Sequence, residues 1–207
     1  QTTGSGDDIF LSAIDDVQIN VAGGTGVKVI GDGAVELYYD STKRLSTSAN
    51  GVLIGATTQG HSSADDLTLE DAGGGDSGMT IRSGTSGDCN VWFADGTSGT
   101  GQYAGYIQYK HATDRFNFGT AAATSMILDS SGRLLLGTST EGFDTYGDDL
   151  TLATSGHTGI TIRSGTTHRG SIYFSDGTSG DAEYQGYIQY NHDDGRLVFG
   201  TTATERL

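Results

Sequence analysis

The side chains best suited to bind a ligand in this sequence are aromatic. Trp92 and Tyr106 lie in one copy of an internal repeat, and Tyr173 and Tyr187 occupy the corresponding positions of the second copy. Aromatic rings offer an apolar face, and Trp and Tyr add a polar group, so these four could stack on sugars. Because side chains alternate along a strand, Tyr109 should lie on the face opposite Tyr106 and outside such a platform. We therefore predict that the four residues are candidate contacts for a glycan or receptor.

Side chains typical of catalysis or metal binding do not recur as clusters. Cys89 aligns with Gly170 in the second copy, so a nucleophile there would belong to one repeat only, and a small buried apolar role is expected. His111 and His192 do align, and copies from several chains could meet on an axis to hold a metal ion. No closely spaced His-x-His pair supports that site, and a histidine in a turn commonly bonds to backbone. We predict no catalytic residue, no cofactor and no metal ligand.

Carboxylates are numerous, but their placement favours turns. Asp95 and Asp176 open the two DGTSG phrases, where aspartate bonds to nearby backbone and glycine supplies positive φ. Asp181 and Glu183 add oxygens that a calcium ion could use, but their counterparts in the first copy are not acidic, and the spacing differs from a twelve-residue calcium loop. Glycoside cleavage needs two carboxylates at a fixed separation across a cleft. The many aspartates in these turns form such pairs by chance, so they do not indicate a glycosidase site. The sequence predicts a protein that is not an enzyme.

Composition restricts the partners. The 207 residues include 34 glycines and no proline, and the apolar share of 34% is low for a globular domain. A formal charge of −15 would repel nucleic acid and anionic membrane surfaces. No apolar run approaches the roughly 20 residues of a membrane helix, so neither nucleic-acid binding nor membrane insertion is expected. The N-terminus lacks the pattern of a secretion signal, so we expect a processed chain or a piece of a longer one.

Internal repetition organises the chain. At an offset of 81 residues, the segment 79–126 matches 160–207 without a gap, and TIRSGT, DGTSG and GYIQY fall in register. The N-terminal stretch is a different unit, but its ending SANGVLIGAT is similar to SSGRLLLGTS in the first repeat. We predict an N-terminal β unit over 1–58, a first β repeat over 59–140 and a second over 141–207, apparently truncated.

Alternating apolar residues predict short strands throughout. Met79–Ile81 and Ile160–Ile162 show the period-two pattern, and Phe116 and Phe118 flank a polar residue in the same way. Glycine, serine and aspartate punctuate the runs. The positions 191–195 indicate a hairpin loop, and Asn50-Gly51 indicates a tight two-residue turn. No helical periodicity exceeds one turn, so the fold class should be all-β.

Such units are poor candidates for folding alone. Each unit has about six short strands, and each strand offers two or three apolar side chains to a face. The burial of so few side chains is small beside the entropy cost of ordering the backbone, which is roughly 1–2 kcal/mol per residue. Short strands also leave edges with unpaired backbone groups. Identical chains packed about one axis would complete a shared core, so we expect an elongated homo-oligomer.

Several phrases carry a resemblance to a known family. They are GAVELYYDSTKRLSTSANGV, LDSSGRLLLGT, TIRSGT and YFSDGTSGDAEYQGYIQYNHDDGRLVFGTTATERL. In this order they resemble repeats of tail fibres and related structural proteins of tailed bacteriophages, notably marine ones, and the resemblance covers most of the chain from Gly33 onward. In that family such units often precede a self-cleaving intramolecular chaperone that assembles three chains and then leaves.

The resemblance implies an elongated homotrimeric fibre of tandem β repeats in the virion tail, outside the capsid. Its expected partners are two further copies of itself, other tail or baseplate proteins and a host surface glycan. The expected function is a shaft or spacer that supports recognition of a host receptor. Two alternatives stay open, namely a tailspike that binds or cleaves polysaccharide and a bacterial surface adhesin.

Overall fold

The computed structural model describes residues 13–21, 24–71, 73–143 and 146–207. The fold is all-β, as the sequence predicts, with three separate sheets of mainly antiparallel strands. Two single-turn 3₁₀ helices, Gly99–Tyr103 and Gly180–Tyr184, are the helical elements of the described chain. The chain divides into two compact units, Gln1–Ile81 with the first sheet and Arg82–Leu207 with the other two.

The first sheet is a six-stranded meander in chain order. Its strands are β1 (Val17–Val21), β2 (Gly24–Val29), β3 (Val35–Tyr39), β4 (Thr42–Thr47), β5 (Val52–Ile54) and β6 (Leu67–Leu69). Neighbouring strands are antiparallel except β5 and β6, which are parallel. The register shifts between Ile19 and Asn20 and between Leu37 and Tyr38, which leaves one extra residue in the partner strand each time, Gly26 in β2 and Arg44 in β4.

The second sheet repeats this arrangement with the same parallel last pair. Its strands are β7 (Asp88–Phe93), β8 (Gly105–Lys110), β9 (Arg115–Thr120), β10 (Ala123–Leu128), β11 (Leu134–Leu136) and β12 (Leu150–Leu152). The third sheet contains β13 (Arg169–Phe174), β14 (Gly186–Asn191), β15 (Arg196–Thr201) and β16 (Thr204–Glu205). The repeat offset is kept, since β13, β14 and β15 start at the counterparts of β7, β8 and β9.

The parallel strands β6 and β12 come from the DDLTL phrase. Leu67–Leu69 pairs with β5 and Leu150–Leu152 pairs with β11, so each phrase joins the sheet that precedes it in the chain. The unit boundaries drawn from the sequence, after residues 58 and 140, thus fall between two paired strands. Strand pairing alone groups residues 17–69 and 88–152 into the two six-stranded sheets.

Two predicted strands are wrong. Neither Met79–Ile81 nor Ile160–Ile162 is a strand in the structure, although both alternate apolar and polar residues. Alternation only places apolar and polar side chains on opposite faces of an extended segment. A β-strand also needs backbone hydrogen bonds to a neighbouring strand. The side chain of Ile162 instead lies against Gly170 of β13.

The hairpin turns use positive φ angles at residues other than glycine. Three two-residue hairpin loops, each with both residues at φ between 48° and 60°, are Asp40-Ser41, Ala121-Ala122 and Thr202-Ala203. This is the type I′ geometry, which matches the twist of a hairpin. The hairpin predicted at Asn50-Gly51 exists, but its loop has four residues, 48–51, because Ser48 and Gly51 close it by mutual hydrogen bonds. The hairpin predicted at 191–195 is present, but its loop covers 192–195, because Asn191 is the last residue of β14 and pairs with Arg196.

Each sheet has one polar and one apolar face. Cross-strand neighbours on the polar face include Asn90, Gln108 and Asn117, which form a hydrogen-bonded row with donor–acceptor distances of 2.9 and 3.1 Å. The few buried side chains continue such rows: Ser46 beside Leu53, Asn117 beside Ile127 and Leu135, and Gln189 beside Val198. Within the described chain the only other buried apolar residue is Ala56.

The opposite face of each sheet is apolar and largely exposed. Its exposed members in the first sheet are Ile19, Val21, Val29, Val35, Leu37, Ile54, Leu67 and Leu69. In the second they are Phe93, Ile107, Phe116, Leu128 and Leu150, and in the third Ile172, Phe174, Ile188, Tyr190, Leu197 and Phe199. We call this surface the apolar face. In the described strands the residues in register with these members include no Asp, Glu, Lys or Arg.

Candidate functional site: an aromatic pocket on the third sheet

The four aromatic residues singled out from the sequence form two cross-strand pairs. Trp92 of β7 lies opposite Tyr106 of β8, and Tyr173 of β13 lies opposite Tyr187 of β14. Both pairs lie on the polar face of their sheet. Tyr109 lies in register with Phe116 on the apolar face, so the expected separation of Tyr106 and Tyr109 is confirmed.

A glycine on the next strand seats the tyrosine of each pair. Gly119 is the cross-strand neighbour of Tyr106, and Gly200 is that of Tyr187. A Cβ atom at either glycine would overlap the tyrosine ring. The ring therefore lies over the backbone of the adjacent strand, and a side chain at the glycine would displace it.

In the third sheet the aromatic pair is part of a pocket of about 370 Å³. The strands contribute Tyr173 and Tyr187, and the 3₁₀ turn that joins β13 to β14 contributes Tyr184. The other lining residues are Arg169, Glu183 and Gln189. The ring centres of Tyr173 and Tyr187 are 6.2 Å apart and the rings are inclined at 60°, so they form two walls that meet at an angle.

Hydrogen bonds hold the polar lining in place. The Nε2 atom of Gln189, a residue only 7% exposed, donates to Ser171 Oγ at 3.0 Å and to the Tyr173 hydroxyl oxygen at 3.3 Å. The hydroxyl of Tyr184 donates to Asp181 at 2.9 Å. That hydrogen bond, together with the negative charge of Asp181, raises the pKa of Tyr184, so the hydroxyl keeps the proton that it donates to Asp181.

The pocket carries one positive and one negative side chain. Neither Arg169 nor Glu183 forms an ion pair with another residue of the described chain. The first repeat differs at both positions, since Asp88 replaces the arginine and Gln102 replaces the glutamate. Asp88 is neutralised there by Lys110, with 3.0 Å between Nζ and Oδ2. The two repeats therefore share the aromatic pair but differ in the charges beside it.

Cys89 and the two aligned histidines lie elsewhere, on or beside the apolar face. Cys89 Sγ is 3.6 Å from His111 Nε2 and 3.5 Å from Ser83 Oγ, and the residue is half-buried rather than fully buried as expected. His111 and His192 each pack edge-on against the tyrosine two residues earlier, with ring centres 4.9 Å apart. Their backbone amides donate to the carbonyls of Gly87 and His168.

Across residues 13–21, 24–71, 73–143 and 146–207, no three His, Cys, Asp or Glu side chains are grouped so as to hold a metal ion. The same part of the chain contains no helix long and apolar enough to cross a bilayer.

Sequence reasoning did not place four residues in this pocket, namely Arg169, Glu183, Tyr184 and Gln189, although it considered Glu183 as a calcium ligand. One signal could have found Tyr184, because its counterpart Tyr103 recurs in the first repeat, where its ring centre is 5.9 Å from that of Trp92. Arg169 and Glu183 differ between the repeats, and only the strand pairing and the turn bring them beside the rings.

Comparison with known protein families found no family model that matches this chain, and comparison with curated proteins found no match.

Proposed function

We propose that this chain is a structural segment of a homotrimeric, elongated β fibre, specifically of the tail fibre of a tailed bacteriophage. Its role is that of a shaft or spacer that supports recognition of a host receptor. The observation that carries the proposal is the exposed apolar face of all three sheets. The resemblance of the repeat phrases to tail-fibre repeats supplies the kind of fibre and the number of chains.

Exposure of this face is costly for a solitary chain. Phe116 of β9 and Phe199 of β15 are each more than two-fifths exposed, although both lie in inner strands of their sheets. Removing such surface from water contributes roughly 25 cal/mol per Å², and large contiguous apolar patches are rare on monomeric proteins. Because the face contains no charged residue in the described strands, it is suited to meet another apolar surface.

A second and third copy of the chain are the partners that fit this face. In an assembly of identical chains, each sheet meets a surface of the same composition and length, and the short open edges can be covered as well. The polar face, with ion pairs such as Lys43–Glu36 at 3.0 Å, then remains in water. With −15 per chain, the assembled fibre repels other fibres and resists side-by-side aggregation.

Sedimentation of matched variants tests the assembly. We expect the wild-type chain to sediment at three times its mass of 21.5 kDa. Ile107→Asp places a charge on the apolar face and should dissociate or unfold the assembly, since burying an unpaired carboxylate is strongly unfavourable. Asn90→Asp adds the same charge to the polar face of the adjacent strand and should sediment as the wild type does.

A wild-type chain that sediments as a folded single molecule would contradict the proposal, and so would an Ile107→Asp variant that stays trimeric. The assignment to a phage tail is tested by the genome around the coding sequence. We expect neighbouring genes for tail and baseplate proteins, and genes for a bacterial surface-anchoring apparatus would favour the adhesin alternative.

A further inference from the structure

We propose that the pocket lined by Tyr173, Tyr184, Tyr187, Arg169, Glu183 and Gln189 binds an uncharged pyranose unit of a polysaccharide. This binding activity goes beyond the structural function proposed above. It would belong to the second repeat and not to the first.

The apolar part of the site suits the face of a sugar ring. The Tyr187 ring is seated over Gly200, which fixes its position, and the Tyr173 ring stands at 60° to it. The π face of an aromatic ring carries partial negative charge and attracts the polarised C–H groups of a pyranose. The volume of about 370 Å³ lies at the small end of ligand pockets, which span roughly 300–1,000 Å³, and so fits one or two sugar units.

The polar part of the site suits hydroxyl groups. A sugar hydroxyl both donates and accepts, and the pocket offers guanidinium donors at Arg169, carboxylate acceptors at Glu183 and an amide at Gln189. Hydrogen bonds to the two charged groups are the stronger ones. Neither group is ion-paired with another described residue, so both are available to a ligand.

The balance of charge favours a neutral sugar. One cation and one anion line the pocket, so an acidic sugar would gain at Arg169 but be repelled by Glu183. The overall charge of −15 adds to that repulsion. In the first repeat Asp88 stands at the position of Arg169 and is paired with Lys110, and Gln102 stands at the position of Glu183, so this repeat lacks the counterparts of both charged groups of the pocket.

The position of the pocket is compatible with the proposed assembly. The pocket lies on the polar face of the third sheet, opposite Ile172 and Ile188. Covering the apolar face by sister chains would therefore leave the pocket open to solvent. A trimer would present three such pockets, which raises the apparent affinity for a polymer with repeating sugar units.

Affinity electrophoresis of the full chain tests this site. The protein is run through native gels that contain dextran, mannan or galactan, with alginate as the acidic comparison. We expect the protein to migrate more slowly in at least one gel that contains a neutral polysaccharide. Alginate should not slow its migration. Glu183→Gln, Arg169→Gln and Tyr173→Ala should each weaken that retention about tenfold or more, since each removes a charge-assisted hydrogen bond or a stacking surface.

Trp92→Ala, the matched change in the first repeat, should leave retention as in the wild type. Glu183→Gln and Arg169→Gln alter exposed side chains, so both variants should fold. They therefore test the binding site even if Tyr173→Ala disturbs folding. No retention in any neutral gel, retention in alginate alone, or retention unchanged in Glu183→Gln would overturn the proposal. Sedimentation of the same variants keeps this test separate from that of assembly, because a lost pocket leaves a trimer at its full mass.

Discussion

Two glycines are required where a tyrosine ring lies directly over the backbone of the adjacent strand. The Tyr106 and Tyr187 rings each occupy the space where the side chain of the neighbouring strand would otherwise lie. Both seats are glycines, Gly119 and Gly200, and both glycines are buried beneath the ring. The same ring position recurs in two sheets because the same glycine recurs with it.

Gly200→Ala should destabilise the protein by roughly 1–3 kcal/mol, because the added methyl overlaps the Tyr187 ring and forces it from its place. Urea unfolding measures the change. Gly159→Ala is the control, since a Cβ there meets no atom within 4 Å and should have little effect. Equal unfolding midpoints for the two variants would show that the Tyr187 ring does not lie against Gly200.

Ala122→Gly should stabilise the protein by about 0.5–1 kcal/mol. Ala122 has φ of 60° in a type I′ turn, where an L-residue costs roughly 1–2 kcal/mol, partly offset by the greater freedom of glycine when unfolded. Thermal melting is the measurement. Ala123→Gly, one residue later within β10, should instead lower the melting temperature because glycine weakens a strand.

Among the elements, the turn between β10 and β11 is held by one arginine and one aspartate. Asp129 Oδ1 accepts hydrogen bonds from the backbone amides of Ser131 and Arg133, at 2.9 and 3.0 Å. The Arg133 side chain bonds Asp129 at 2.7 Å and also Asp148 at 3.0 Å, just before the parallel strand β12. One side chain thereby joins the hairpin to the strand that completes the sheet.

Asp129→Asn should make the protein less stable at neutral pH, by roughly 1 kcal/mol for one partly screened charged interaction. Partial burial would raise the pKa of Asp129, but the hydrogen bonds from Arg133 and Ser131 outweigh it and hold this pKa below its ordinary value. The stabilisation is therefore present above the unfolded pKa of about 3.9 and is lost as pH falls through the lower folded value.

Urea midpoints of wild type and Asp129→Asn, compared from pH 7 down to pH 3, measure this. We expect the difference between them to shrink below about pH 4. A difference that stays constant over that range would mean that the charge of Asp129 does not stabilise the turn.

At the scale of the whole molecule, apolar surface is distributed in an unusual way. The side chains that would form the core of a globular protein lie on an open sheet face, whereas the few buried ones lie among polar rows on the other side. In the proposed assembly, other copies of the chain would supply most of the hydrophobic stabilisation, as they do in obligate oligomers.

The urea midpoint should accordingly rise with protein concentration. Over a hundredfold range, mass action should favour the proposed trimer, since its three chains would separate on unfolding. Asn90→Asp should show the same dependence as the wild type. A midpoint that does not change with concentration would indicate that one chain folds without its sister copies.

The sequence alone determined the fold class, the repeat and the positions of most strands. Period-two alternation and the spacing of turn residues are local properties, so β1, β3 and β9 can be predicted from a few neighbouring residues. The aromatic pairs could be foreseen in the same way, because their equivalence follows from the repeat and their face from alternation.

Only the tertiary structure decided which strands pair and what surrounds the aromatic rings. β6 joins β5 in parallel across a loop, and Met79–Ile81 forms no strand, although the local patterns of the two segments are alike. The pocket likewise combines Arg169 from one strand with Glu183 from a turn 14 residues later in the sequence. Pairing and pocket formation depend on contacts between distant parts of the chain, and these are settled by backbone hydrogen bonds and space, which residue spacing does not record.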